Sequence, residues 1–188
     1  MLFAAELAHE TTCKLNHVRG FFVATVDVMT ETLNATTTTA HAKRIDIYDV
    51  APELYAGMMA FSNAASKELD STIGELIKIR ASQINHCAFC LDMHVHDARR
   101  FGETEQRLAL VAAWEEAGDL FTDRERAALA ITEAITDLSH GPVPDDVYAQ
   151  AAAVFTEREL AHVVGMAAVI NSWNRLNAAT RKAVARRR

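Results

Sequence analysis

The stretch "ELIKIRASQINHCAFCLDMH", Glu75 to His94, decides how this chain folds. Its first half continues an apolar stripe that runs Ile73, Leu76, Ile77, Ile84 and then Cys87. A recurrence every three to four residues marks a helix with one face turned to a core. Asn85-His86 breaks the run, and His86 sits where a helix would end, a position that favours histidine against the helix dipole. A second helix starting near Cys87 puts Cys87, Cys90 and His94 at i, i+3 and i+7, on one face. The expected local structure is two helices joined by a turn, with the CxxC at the start of the second, buried helix.

Outward from this pair the pattern stays helical. "DVAPELYAGMMAFSNAASKEL", from Asp49, carries Pro52 near a first turn, where proline suits a helix. Further helices are expected at about 87–101, 104–116, 123–138, 144–153 and 157–180, with "SHGPVPDD" as a loop and Pro144 opening the next helix. Thr72/Glu75, Thr122/Glu125 and Thr156/Glu159 all have the form of capping boxes. Thr72, Glu75 and Leu76 recur 84 residues later as Thr156, Glu159 and Leu160, and the same offset sets Cys87 on Asn171 and Cys90 on Asn174. A degenerate helical repeat would produce this, and so would two capped amphipathic helices of independent origin. The fold class is all-α.

Upstream, "LNATTTTAHAKR" (33–44) is a Thr-rich linker with no apolar period. Residues 1–40 are read as an N-terminal extension and linker, and 41–188 as the helical domain. The extension has the pattern of one or two amphipathic helices, although "GFFVATVDVM" (20–29) is rich enough in β-branched and aromatic residues for a strand. It holds Cys13, which has no nearby partner in sequence.

Composition narrows the function. The chain has 188 residues, half of them hydrophobic, with 7 Gly and 3 Pro, and suits long uninterrupted helices in one domain. A formal net charge of -6 supplies no broad field for nucleic acid. The basic end "RKAVARRR" reads as a solvated helix terminus. Three cysteines are too few for a secreted disulfide scaffold, no apolar run approaches the ~18 residues of a membrane span, and the start lacks a basic leader. A cytoplasmic protein with reduced thiols is expected.

Two thiols and an imidazole on one helix face leave several chemistries open. At the first turn, unpaired N–H groups and the helix dipole favour thiolate, which activates a cysteine. Cys87 and Cys90 are spaced to close a disulfide, and His94 can exchange a proton with a thiol. Glu75 lies 12 residues before Cys87, about 18 Å away on one straight helix. If the chain folds back at Asn85-His86, Glu75 comes opposite about residue 96, and a water can bridge its carboxylate to His94. The relay would run Glu75, water, His94, thiol. Zinc could take Cys87, Cys90, His94 and His96, but ligands on one helix hardly surround a tetrahedral ion, and no second ligand pair stands out despite His140 and His162. Haem attachment fails because Leu91 follows Cys90. A pair of merely packed cysteines stays open, since free cysteine is commonly buried. His86 and His96 are read as peripheral, and His162 as a packed histidine.

Glu75, Cys87-x-x-Cys90 and His94, with "VINSWNRLNAAT" near the C-terminus, resemble the alkylhydroperoxidase AhpD-like family of the carboxymuconolactone decarboxylase superfamily. The resemblance covers about Ile45 to Thr180. It implies an all-α fold assembled as a homotrimer or homohexamer. It implies a thiol peroxidase or disulfide oxidoreductase, with a hydroperoxide as substrate and an external dithiol or disulfide reductase as electron donor. Carried over, Cys90 attacks the peroxide, Cys87 resolves, and His94 and Glu75 form the proton relay with water. No cofactor or metal and no nucleic-acid or membrane partner is implied. One position departs from the pattern. The best-known peroxidase members carry a histidine directly before the second cysteine, where this chain has Phe89. The ring cannot shuttle protons, so rate, donor or substrate is expected to differ. The lactone decarboxylases of the superfamily generally lack the redox pair, which sets this chain apart from them.

Overall fold

The structure is a computed structural model and describes residues 44–186. The expectations for the N-terminal extension, including Cys13 and nearly all of the linker, lie outside the described residues, as do Arg187 and Arg188. Among the described residues every regular element is helical: α1 (Ile47–Val50), α2 (Pro52–Ser66), α3 (Ser71–Ile84), α4 (Ala88–Arg100), α5 (Glu105–Leu110), α6 (Asp123–Thr136), α7 (Asp145–Val154) and α8 (Glu157–Thr180). None is long and apolar enough to cross a membrane.

Helix α3 is the centre, packed on α4, α6 and α8. It is apolar on two faces, as a helix buried on both sides must be. Ile73, Ile77 and Ala81, at i, i+4 and i+8, join one cluster with Cys87, Cys90, Ile131, Val163 and Ile170. Leu76 and Ile79 join a second with Ala98, Val111, Trp114, Phe121 and Leu129. The site described below lies on the side of the first cluster. Helix α2 crosses α8 where Gly165 faces Ala65, and it is tied down by Trp173 Nε1 donating to Ser62 Oγ at 2.8 Å.

The expected bounds of α4, α6, α7 and α8 hold to within two residues. The helix expected over 104–116 does not run through. It becomes a 3₁₀ segment, Val111–Glu116, in which Ala113 leaves helical geometry at φ -132°, ψ 34°. Tertiary packing outweighs propensity here. Val111 and Trp114 enter the second cluster, Trp114 Nε1 reaches Glu133 Oε1 at 2.7 Å, and Arg126 donates to the carbonyls of Trp114 and Glu115.

Two of the three expected capping boxes form, at Thr122/Glu125 and Thr156/Glu159. The third does not. Asp70, not Thr72, caps α3, accepting from the N–H groups of Thr72 and Ile73 at 2.9 and 3.1 Å. The basic end is also not a continuing helix. Helix α8 stops at Thr180, Arg181 turns left-handed at φ 50°, and Lys182 folds back onto Asp46 at 2.6 Å.

Candidate active site

The turn between α3 and α4 is as short as the sequence implied. Asn85 ends α3, His86 takes a left-handed φ of 53°, and Cys87 is already the N-cap of α4. The Cys87 N–H donates back to the Ser82 carbonyl at 3.0 Å, which locks the reversal. Cys87 and Cys90 are unbridged, buried, and hydrogen-bonded to each other with their sulfurs 2.9 Å apart. The thiol of Cys90 holds Cys87 well below the ordinary thiol range, at about 6. Burial opposes this, and the backbone N–H groups of Cys90 and Phe89 with the side chain of Asn174 add to it. Cys90 moves up, because its proton is engaged by Cys87 and it is buried, while the Asn177 amide pulls the other way. The pair therefore holds one negative charge and one shared proton.

Glu75 and His94 meet directly. His94 Nδ1 lies 3.0 Å from Glu75 Oε2, so the expected bridging water has no place between them. The carboxylate accepts, so Nδ1 carries the hydrogen and Nε2 is the nitrogen left for proton exchange. The other oxygen, Oε1, accepts from Lys78 Nζ at 2.5 Å. Burial raises the Glu75 carboxyl, but His94 and Lys78 outweigh it and keep it below the usual range. Freed from capping, Glu75 is 4% exposed, and this orientation follows from Asp70 having taken the cap.

A third set of residues was not singled out as functional by their spacing. Asn171, Asn174 and Asn177 continue the buried stripe of α8 beyond Ile170. Asn85 Nδ2 donates to Asn171 Oδ1 and Asn174 Oδ1 at 2.8 and 3.0 Å, Asn174 Nδ2 donates to Ser82 Oγ at 3.1 Å, and Asn177 Nδ2 to Cys90 Sγ at 3.3 Å. Tyr48 of α1 donates to Asn177 Oδ1 at 2.7 Å. The available signal was three asparagines at i, i+3 and i+6 on a stripe otherwise apolar, since buried amides demand partners.

Cys90 and His94 line one cavity of about 510 Å³, whose lining also includes Tyr48, Tyr55, Trp173 and Phe89. Cys87 is not among its lining residues. Tyr48, Tyr55 and Trp173 stack edge-on with ring centroids 5.3 to 5.8 Å apart and form an aromatic wall. Phe89 packs against the first cluster and adds its ring to the cavity lining.

His162 donates from Nδ1 to the Ala65 carbonyl at 3.1 Å, the packed role expected of it. Among the described residues, the trio placed within ligand reach of one another is Glu75, His94 and Asp97, all within 4.8 Å. It includes neither cysteine, and the Lys78 ammonium already occupies one Glu75 oxygen.

The helical fold with a dithiol at a helix start defines an AhpD-like domain. Residues 52–134 match the model of the carboxymuconolactone decarboxylase family. The uncharacterized protein YdfG of Bacillus subtilis (strain 168) is 41% identical over 139 residues, 73% of this chain and 94% of its own. The crystal structure of an Agrobacterium tumefaciens protein of unknown function, suggested to be the antioxidant defence protein AhpD, superposes with a TM-score of 0.74 at 35% identity, over 77% of this chain and 99% of that one. The debrominase Bmp8, as a cysteine-to-alanine variant in complex with 2,3,4-tribromopyrrole, shares the fold with a TM-score of 0.65 at 18% identity over 73% of each chain. The chain belongs to the carboxymuconolactone decarboxylase family, within its AhpD-like group.

Proposed function

We propose that the protein is a thiol peroxidase that reduces hydroperoxides through Cys90 and Cys87. The observation that carries this is a coupled, unbridged thiol pair of which one sulfur, Cys90, reaches a cavity shared with His94. Moving the shared proton onto Cys87 leaves Cys90 as thiolate. Its sulfur attacks the peroxide, an S–O bond forms as the O–O bond breaks, and the departing alkoxide takes a proton supplied through His94. Cys90 is then a sulfenic acid. The Cys87 sulfur attacks it, the disulfide closes and water leaves. An external dithiol returns two electrons by exchange. Glu75 holds the His94 tautomer and balances the imidazolium. An assembly of three or six chains is part of the proposal, supported by Leu54, Met58 and Phe61 at i, i+4 and i+7 of α2, where Leu54 and Phe61 are exposed. Light scattering reads the assembly, and a monomer would count against it.

The test is turnover of an organic hydroperoxide with a dithiol donor. Cys90→Ser is expected to lose activity, and Cys87→Ser to stop after one oxidation. Background rates indistinguishable from Cys90→Ser would end the proposal. A second reading, thiol-driven removal of bromine from an aromatic ring, draws on the aromatic cavity wall. There the Cys90 thiolate takes the halogen, the ring takes a proton, and Cys87 displaces bromide as the disulfide closes. Bromide release from 2,3,4-tribromopyrrole would distinguish it.

A further inference from the structure

Helix α8 brings two amides toward the sulfur that faces the cavity, Asn177 with the larger influence and Asn174 with the smaller. Asn177 is 4% exposed and donates from Nδ2 to Cys90 Sγ at 3.3 Å. Its other amide atom, Oδ1, accepts from the Tyr48 hydroxyl at 2.7 Å. Both residues line the cavity. An asparagine amide presents a donor at one end and an acceptor at the other. A thiolate only accepts, so it must meet the N–H end. The opposite end is then available to the phenol, which can donate only while it keeps its proton. Burial, and next the charge of the thiols, push the Tyr48 hydroxyl up to about 12, so it remains a donor across the physiological range.

We propose that Asn177 is a catalytic residue of the dithiol, its amide N–H stabilising negative charge on Cys90, and that Tyr48 is the positioning residue that fixes which end of that amide faces the sulfur. The electrostatic setting supports this division. Cys90 is driven toward the protonated form by Cys87 and by burial, and the amide of Asn177 is the largest of the influences acting against them. Without it, the thiolate would have to exist in a buried site with one charge-assisted bond fewer. Besides Tyr48, the titratable groups on Cys90's side of the site are Cys87 beside it, His94 one turn on, and Tyr55, Lys78 and Lys182 on the cavity lining. Lys78 is paired with Glu75 and Lys182 with Asp46, so neither cation is committed to the sulfur.

The role gains its meaning in turnover from Cys90 being the attacking thiol, yet it can be measured without peroxide. The experiment uses the full chain with Cys87→Ser, so that Cys90 titrates alone. Alkylation of Cys90 by iodoacetamide is followed against pH, and peptide mass spectrometry separates it from Cys13. Asn177→Ala is expected to raise the midpoint by about one pH unit, a tenfold fall in thiolate at neutral pH. Asn177→Asp, the same size but carrying an acceptor, raises it further. Tyr48→Phe keeps the ring and shifts the midpoint in the same direction by less. Superimposable profiles for the parent and Asn177→Ala overturn the role of Asn177. A shift in Asn177→Ala with none in Tyr48→Phe overturns the positioning role. Thermal unfolding confirms that each variant is folded, and if Asn177→Ala is not, Asn177→Asp and Tyr48→Phe decide the matter. Shifted profiles in a protein that never turns over peroxide would remove the peroxidase proposal and leave Asn177 in place. Unshifted profiles in an active peroxidase would do the reverse.

Discussion

Two helix starts in this protein carry the same Thr-x-x-Glu-Leu phrase and do different things with it. At α8, Glu159 reaches back to the Thr156 N–H at 2.9 Å and bonds Arg124 at the surface. At α3, Glu75 turns inward to His94 and Lys78. What separates them is two residues upstream of the threonine. Asp70 caps α3, whereas the corresponding position before α8 is Val154, whose side chain has no acceptor. An N-cap needs one good acceptor. When an aspartate supplies it early, the later glutamate is released for chemistry.

The sharpest way to break that contrast is to neutralise each glutamate. Glu75→Gln should lower peroxide turnover by about 100-fold or more, the scale expected when His94 is no longer held and charged as the proton donor, while Glu159→Gln leaves turnover unchanged. Steady-state rates check both, and equal effects would put the two glutamates in the same class. A second expectation concerns pH. Cys87 titrates at about 6, and Glu75 stays ionised to below its usual range. Single-turnover oxidation should therefore fall about tenfold per pH unit below that midpoint, because the pair must first lose one proton before the other can move onto Cys87 and leave Cys90 as the reactive thiolate. The stability sign agrees. The Cys87 thiol is more acidic folded than unfolded, so its contribution is complete above its unfolded value near 9 and is lost as pH falls through about 6. A midpoint near that of a free thiol would contradict the coupling. The smallest effect is on caps. Thr156→Ala should cost about 1 kcal/mol, and Thr72→Ala less than about 0.5 kcal/mol, read as shifts in thermal unfolding.

Much of this was legible along the chain. The apolar periods of α3 and α4, the break at Asn85-His86 and the i, i+3, i+7 placement of Cys87, Cys90 and His94 are local properties, and local rules govern them. The fold-back that brings Glu75 to His94 followed from helix dimensions once the turn was assumed. The rest depended on groups distant in sequence. Tyr48 and Asn177 are 129 residues apart, and no period links them. The kink at Ala113 serves Trp114 and partners on α6, so helix propensity over 104–116 was a poor guide. The misassigned cap at Thr72 shows a subtler limit. A satisfied motif says nothing about a better competitor beside it, and Asp70 was that competitor. Phe89 was noted as a missing proton carrier, and its positive contribution is apolar surface facing the cavity.

The left-handed residue at the α3–α4 turn has a consequence for variation in this molecule. With only Asn85, His86 and the N-cap Cys87 between the helices, the turn acts as a ruler that sets the rotational phase of α4 against α3. One inserted residue would rotate α4 by about 100° about its axis and carry His94 away from Glu75 even with every helix intact. His86 itself adopts a conformation that glycine enters more easily. Residue 86 is therefore free to vary, whereas Asn85 is held by Asn171 and Asn174 and the length of the joint is fixed.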